Sequence, residues 1–166
     1  LEFLKTANYD LITVIPGDEN EVVKFLLNDN LNNALELLNE YKETFNELYL
    51  GWDFQDEKNV NSFELVNNFF GKNNIKKVAL NKTNFLVEED FEAYQVLRCI
   101  DLGLNSYTYT EKEKNSFLLS KEEAQFKFKN HQDMLANTRK IADLCNVELD
   151  FSKHYLPKFK ADLDSK

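Results

Sequence analysis

The chain has 166 residues, 43% hydrophobic and 13% aromatic, which suits one domain with a packed core. Its net charge of −9 argues against a surface that grips a nucleic-acid backbone, which needs clustered Lys and Arg. No apolar run approaches the ~20 residues that span a bilayer, and Leu1-Glu2-Phe3-Leu4-Lys5 lacks the charged and apolar regions of a signal peptide.

Tyr9 to Ile15 is a β-branched apolar run closed by Pro16-Gly17, and it predicts a buried strand followed by a turn. A helix is expected after Asp18, carrying Val22, Val23, Phe25, Leu26 and Leu27. A second, running to about Thr44, places Leu31, Ala34, Leu35, Leu37, Leu38 and Tyr41 at helical spacing, with Asn30 as its cap. Glu47 to Gly51 predicts a second strand. Val60, Phe63, Val66, Phe69 and Phe70 then line one helix face, and Gly71 stands where a left-handed C-terminal cap belongs. Ile75 to Leu80 is a third strand, followed by a helix over Glu88–Asp101 with Phe91, Tyr94, Leu97 and Ile100 on one stripe and Gly103 past its end. Strands that alternate with helices favour parallel pairing and an α/β class.

Residues 105–117 read as loop. Ser120-Lys-Glu-Glu123 fits a capping box opening a short helix through Phe128. The last helix spans about His131 to Cys145, with Met134, Leu135, Thr138, Ile141, Ala142 and Cys145 expected inward, so that Ile141→Asp should cost roughly 3 kcal/mol or more. From Val147 to Lys166 the chain reads as extended and then frayed. Three strands are few for a free-standing sheet, and the chain begins at Leu1 with Met134 as its only methionine, so it reads as a piece of something longer.

Cys99 and Cys145 make no disulfide framework and are expected as reduced, buried thiols of a cytoplasmic protein. Candidate chemistry is sparse. Gly17-Asp-Glu-Asn-Glu21 follows a strand, where α/β folds place ligands, and its acids could hold a divalent metal; the plainer reading is helix capping and first-turn carboxylates. Asn81-Lys-Thr-Asn84 follows the third strand, but Lys82 would repel a cation. His131 and His154 have no carboxylate or cysteine at a telling spacing. Trp52 and Phe54 could mark a partner surface or the core.

Several segments, in order, resemble a known family. Leu11-Ile-Thr-Val-Ile-Pro-Gly-Asp-Glu-Asn-Glu-Val22, Phe45-Asn-Glu-Leu-Tyr-Leu50, Val78-Ala-Leu-Asn-Lys-Thr-Asn-Phe-Leu86, Asp90-Phe-Glu-Ala-Tyr-Gln-Val-Leu97, Ser120-Lys-Glu-Glu123 and Asn137 to Phe159 are similar to consecutive pieces of the PHP (polymerase and histidinol phosphatase) domain of bacterial DNA polymerase III alpha subunits of the DnaE type. The resemblance implies the second half of a distorted β/α barrel: residues 1–118 as β/α domain, 119–159 as its helical exit segment, and 160–166 as a frayed tail leading to a polymerase domain. It also implies metal-ligand positions, and here they are altered. Gly17 stands where many members have cysteine, Lys82 where they have aspartate, and Asn84 where they have histidine. The implied module is a metal-site-degenerate one without catalytic residues or cofactors of its own. Its implied partners are the palm and thumb of the same polymerase chain and replisome accessory proteins, with no direct nucleic-acid contact and no membrane. The alternatives are a PHP-type phosphoesterase whose metal ligands lie in a preceding half, and an unrelated α/β protein-binding domain.

Overall fold

The computed structural model describes residue 4, residues 11–17 and residues 20–152. His154, Asp18, Glu19 and the Leu156-Pro-Lys-Phe159 tail lie outside them.

Three strands form one parallel sheet in the order β1-β2-β3: β1 over Ile12–Pro16, β2 over Glu47–Trp52 and β3 over Lys76–Ala79. Ile15 lies opposite Leu50, and Gly51 opposite Val78. Helices α1 (Glu21–Leu27) and α2 (Leu31–Thr44) connect β1 to β2, and α3 (Glu57–Lys72) connects β2 to β3. After β3 come a short 3₁₀ turn (Glu88–Asp90), α4 (Phe91–Leu102), α5 (Glu111–Lys114), α6 (Lys121–Lys127) and α7 (Gln132–Leu144). The α/β class with three parallel strands thus agrees with the sequence reading.

Local chemistry sets the helix starts. Asn20 Oδ1 accepts the Val22 N–H at 2.7 Å, Asn30 Oδ1 the Asn33 N–H at 3.3 Å, and Asp56 Oδ1 the Asn59 N–H at 2.8 Å. Ser120 and Glu123 form the expected capping box on α6, and Thr110 and Glu113 form a second on α5, inside a stretch that reads as loop from sequence. Packing supplies most of the stability. Val22, Val23 and Leu26 of α1, Ala34 and Leu38 of α2, and Phe63, Val66, Phe69 and Phe70 of α3 close over Ile15, Leu50 and Trp52. Central β2 is buried from Tyr49 through Trp52, as a strand covered on both faces must be.

Four expectations need correction. Gly71 does not cap α3. The helix runs to Lys72, and Asn74 takes the left-handed position with φ 59°. Asn74 N–H then bonds Gly71 O and Ile75 N–H bonds Phe70 O, a Schellman closure that sends the buried Ile75 back to the core. Val60 faces solvent. Of the expected α4 stripe, Phe91 and Tyr94 pack inward, against Phe85 and Tyr109, whereas Leu97 and Ile100 are 65% and 71% exposed. Cys99 is half-buried, and Cys145, one residue past the end of α7 at Leu144, is exposed.

Helix α7 docks along the outer edge of β3. Asn137 Nδ2 donates to Lys77 O at 2.8 Å, and Thr138 Oγ1 accepts the Ala79 N–H at 3.1 Å. Two side chains thus satisfy backbone groups that a further strand would otherwise take. Met134 is fully buried in this contact, but Ala142 is exposed and Ile141 only half-buried, so a charge at 141 stays near water and the core-sized penalty expected from sequence does not apply.

Candidate functional site at the carboxyl ends of the strands

The carboxyl ends of β1, β2 and β3 carry Gly17, Asp53-Phe54-Gln55 and Leu80-Asn81-Lys82, respectively. This is where open α/β sheets place their ligands. Two of the three residues singled out as altered metal positions, Gly17 and Lys82, reach this edge, and Asn84 follows in the same loop.

Gly17 is buried, and its missing side chain has a physical cause. A Cβ built there would lie 2.1 Å from Cε3 of Trp52, 2.6 Å from its Cζ3 and 2.8 Å from the Gly51 carbonyl oxygen. The indole, 1% exposed and packed 5.7 Å from the Phe63 ring, occupies the space that a residue at 17 would use. Trp52 belongs to the core, not to a partner surface. Its Nε1–H is buried without an acceptor among the described residues, and an N–H donor is no metal ligand.

Lys82 and Asn84 turn their side chains to solvent. What is fixed at Lys82 is its backbone. The Gln55 side-chain amide accepts the Lys82 N–H at 2.9 Å and donates to Lys82 O at 3.0 Å, as a neighbouring strand would. The same amide nitrogen donates to Asn115 O at 2.9 Å, and Asn115 Nδ2 returns a bond to Gln55 O at 3.2 Å. Gln55 is 3% exposed, so its hydrogen-bonding groups must be satisfied internally, and they are.

Beside it, the Asp53 carboxylate accepts the Gln55 N–H at 3.1 Å and Asn59 Nδ2 at 2.8 Å through one oxygen, and faces Lys112 Nζ at 3.1 Å through the other. Both side chains of this ion pair are largely buried, Lys112 at 16% and Asp53 at 10% exposure. A second ammonium, Lys127 Nζ, donates to Asn81 Oδ1 at 2.9 Å, and Asn81 Nδ2 donates to Phe117 O at 2.9 Å. Desolvation lowers the Lys127 pKa from the usual lysine range; the Asp53 charge opposes that fall and the Lys112 charge adds to it. A cavity of about 430 Å³ opens next to Lys127, walled by Phe54, Phe117, Leu119 and Phe126.

Against known proteins, the chain is 30% identical over 167 residues to the DNA polymerase III subunit alpha of Pseudomonas aeruginosa, a match covering 95% of this chain and 14% of that protein. By sequence, the chain is a relative of one segment of DNA polymerase III alpha subunits. The alpha subunit of Pseudomonas fluorescens is 28% identical over 95% of the chain, and that of Halalkalibacterium halodurans 29% over 91%. The chain spans about 14% of the length of each of these alpha subunits. No protein-family model matches it.

In this chain, the side chains that fill the strand ends are Asp53, Gln55, Asn59, Lys112, Asn115 and Lys127, none of them singled out by motif. One signal was available: Asp53 and Gln55 directly follow the second strand, at the edge where α/β sheets bind ligands. Among the described residues, the donor set at the strand ends does not fit a divalent cation. Such ions need several carboxylate, imidazole or thiolate ligands. Among the described residues no three His, Cys, Asp or Glu side chains converge, and Asp53 already faces an ammonium.

The other histidine candidate, His131, starts α7 and sits between aromatic rings, stacked on Phe54 at 5.3 Å and edge-on to Phe63 at 4.6 Å. Desolvation lowers its pKa, with Asp133 opposing and Lys77 reinforcing the shift. Folding therefore favours the neutral ring. The stability this contributes is complete above the ordinary histidine pKa of ~6.5 and is lost as pH falls through the lower folded-state value. The urea midpoint should drop on going from pH 7.5 to 5, and His131→Phe, which cannot take up a proton, should show a smaller drop. Equal drops in the two proteins would show that His131 does not contribute.

Proposed function

We propose that this chain is a structural and interaction module of a DNA polymerase III alpha-type replicative polymerase: a PHP-like β/α unit that serves DNA replication in the cytoplasm through the polymerase it belongs to, and that holds no catalytic metal of its own. The observation that carries the reading is the likeness to alpha subunits along 95% of the chain. The strand ends support its non-catalytic part. At the three positions where the resemblance implies ligands stand a glycine whose side-chain space is filled by Trp52, a solvent-facing lysine and a solvent-facing asparagine. Asp53, the carboxylate at the end of β2, is engaged by Lys112, Gln55 and Asn59. Among the described residues no helix is long and apolar enough to cross a membrane.

The test is metal uptake and turnover by the purified 166-residue protein. Incubated with Zn²⁺ or Mn²⁺ and desalted, it should carry well below one equivalent of metal, and it should leave p-nitrophenyl phosphate unhydrolysed. Stoichiometric metal, or hydrolysis abolished by a chelator, would overturn the non-catalytic reading in favour of a PHP-type phosphoesterase.

A further inference from the structure

The Lys127 cavity has a composition that the polymerase reading does not use. Its floor holds an ammonium beside Gln55 and Asn115, and its walls are Phe54, Phe117, Leu119 and Phe126. Its volume of about 430 Å³ lies in the range of small-molecule sites, which combine apolar walls with a few fixed polar groups. Phe126, which also lines the cavity, is 73% exposed and carries Lys129 Nζ over its ring at 4.9 Å from the centroid.

Among the described residues that line the cavity, Lys127 is the ammonium; behind them Lys112 is paired with Asp53 Oδ2, and Asp53 Oδ1 accepts from Gln55 and Asn59. Lys127 has three N–H donors. Among the described residues its hydrogen-bond acceptor is the neutral amide oxygen of Asn81. A desolvated ammonium whose hydrogen-bond acceptor is a neutral amide gains from an anionic acceptor, because charge-assisted hydrogen bonds are stronger where water is scarce. Glu122 and Glu123 also line the cavity, but both are exposed, and Glu123 Oε2 accepts the Ser120 N–H at 2.7 Å as part of the α6 cap. Those rim charges, and the lack of a second ammonium lining the cavity, disfavour a dianion such as phosphate.

We propose that this cavity binds a monocarboxylate with an apolar body, its carboxylate on Lys127 Nζ and its hydrocarbon or ring against Phe54, Phe117 and Phe126. The experiment is a titration of the full 166-residue protein, followed by NMR shifts of its amides, with three probes: 4-phenylbutyrate, its neutral isostere 4-phenylbutanol, and inorganic phosphate. The expected result is saturable binding of 4-phenylbutyrate that moves the amides of α6, with phenylbutanol and phosphate each at least about tenfold weaker, the size of one lost charge-assisted contact. Lys127→Met, close in shape but uncharged, should lose about tenfold in affinity for 4-phenylbutyrate, and Lys127→Arg should retain most of it. Equal binding of acid and alcohol by the wild-type protein would overturn the assignment, and that comparison does not depend on the folding of any variant. Phosphate binding as tight as 4-phenylbutyrate would overturn the choice of carboxylate, and unchanged affinity in folded Lys127→Met would overturn the role of Lys127.

Discussion

Trp52→Ala is expected to lower the stability of the protein by about 3–5 kcal/mol, the usual cost of truncating a fully buried tryptophan. The indole is 1% exposed, packs on Phe63, and is the largest fully buried side chain. Its second role makes a sharper test. Because Cε3 and Cζ3 fill the space over Gly17, any side chain at 17 must displace a rigid ring. Gly17→Cys alone should cost about 1–3 kcal/mol through overpacking. In the Trp52→Ala background the indole is gone, while the Gly51 carbonyl oxygen, 2.8 Å from a Cβ at 17, still crowds the site. The added cost of Gly17→Cys there should fall by at least half. Urea unfolding of the two single variants and the double variant closes the cycle. Additive losses would show that the glycine at 17 has nothing to do with the tryptophan at 52, and that the altered ligand position needs another explanation.

The sequence makes one half of this pair conspicuous and hides the other. Gly17 closes a β-branched run, so both the strand and its end were legible, as were the starts of α2 and α6 from Asn30 and Ser120. Local chemistry writes these features, and local reading recovers them. Gly71 misled because the presence of a glycine is a weaker signal than the backbone's need for a left-handed residue: Asn74 tolerates that conformation and lies where the chain must turn back into the core. The exposed Leu97 and Ile100 misled in the opposite way, since periodicity reports which residues share a face but not how far the neighbouring aromatic cluster extends beneath it. The polar filling of the strand ends was the least legible part. Gln55 meets Lys82 across 27 residues and Asn115 across 60, and Lys127 meets Asn81 across 46. No spacing rule brings such residues together; the parallel topology does, by delivering the ends of β2 and β3 to one edge and folding α5 and α6 over it.

The second large effect belongs to that edge. Asp53→Ala should cost about 3–5 kcal/mol, because it deprives the largely buried Lys112 ammonium of its carboxylate and leaves Asn59 Nδ2 and the Gln55 N–H without their acceptor. Asp53→Asn separates these contributions in part: it keeps an acceptor for the two amides while removing the charge and turning an NH2 donor toward Lys112, so its loss should be smaller than that of Asp53→Ala. Lys112→Met alone leaves a buried carboxylate that still accepts two N–H bonds, and should also cost less than Asp53→Ala. The double variant, Asp53→Asn with Lys112→Met, removes both buried charges together with their desolvation penalties. It should be more stable than the sum of the single losses predicts, by about 1–3 kcal/mol of coupling. Strictly additive losses, or Asp53→Ala within about 1 kcal/mol of wild type, would show that the pair is solvated in solution and holds nothing together. A protein stabilised in this way has used the carboxylate at the end of β2 as a clasp. The ammonium of α5 bonds to it, and that largely buried pair fastens α5 to the end of β2.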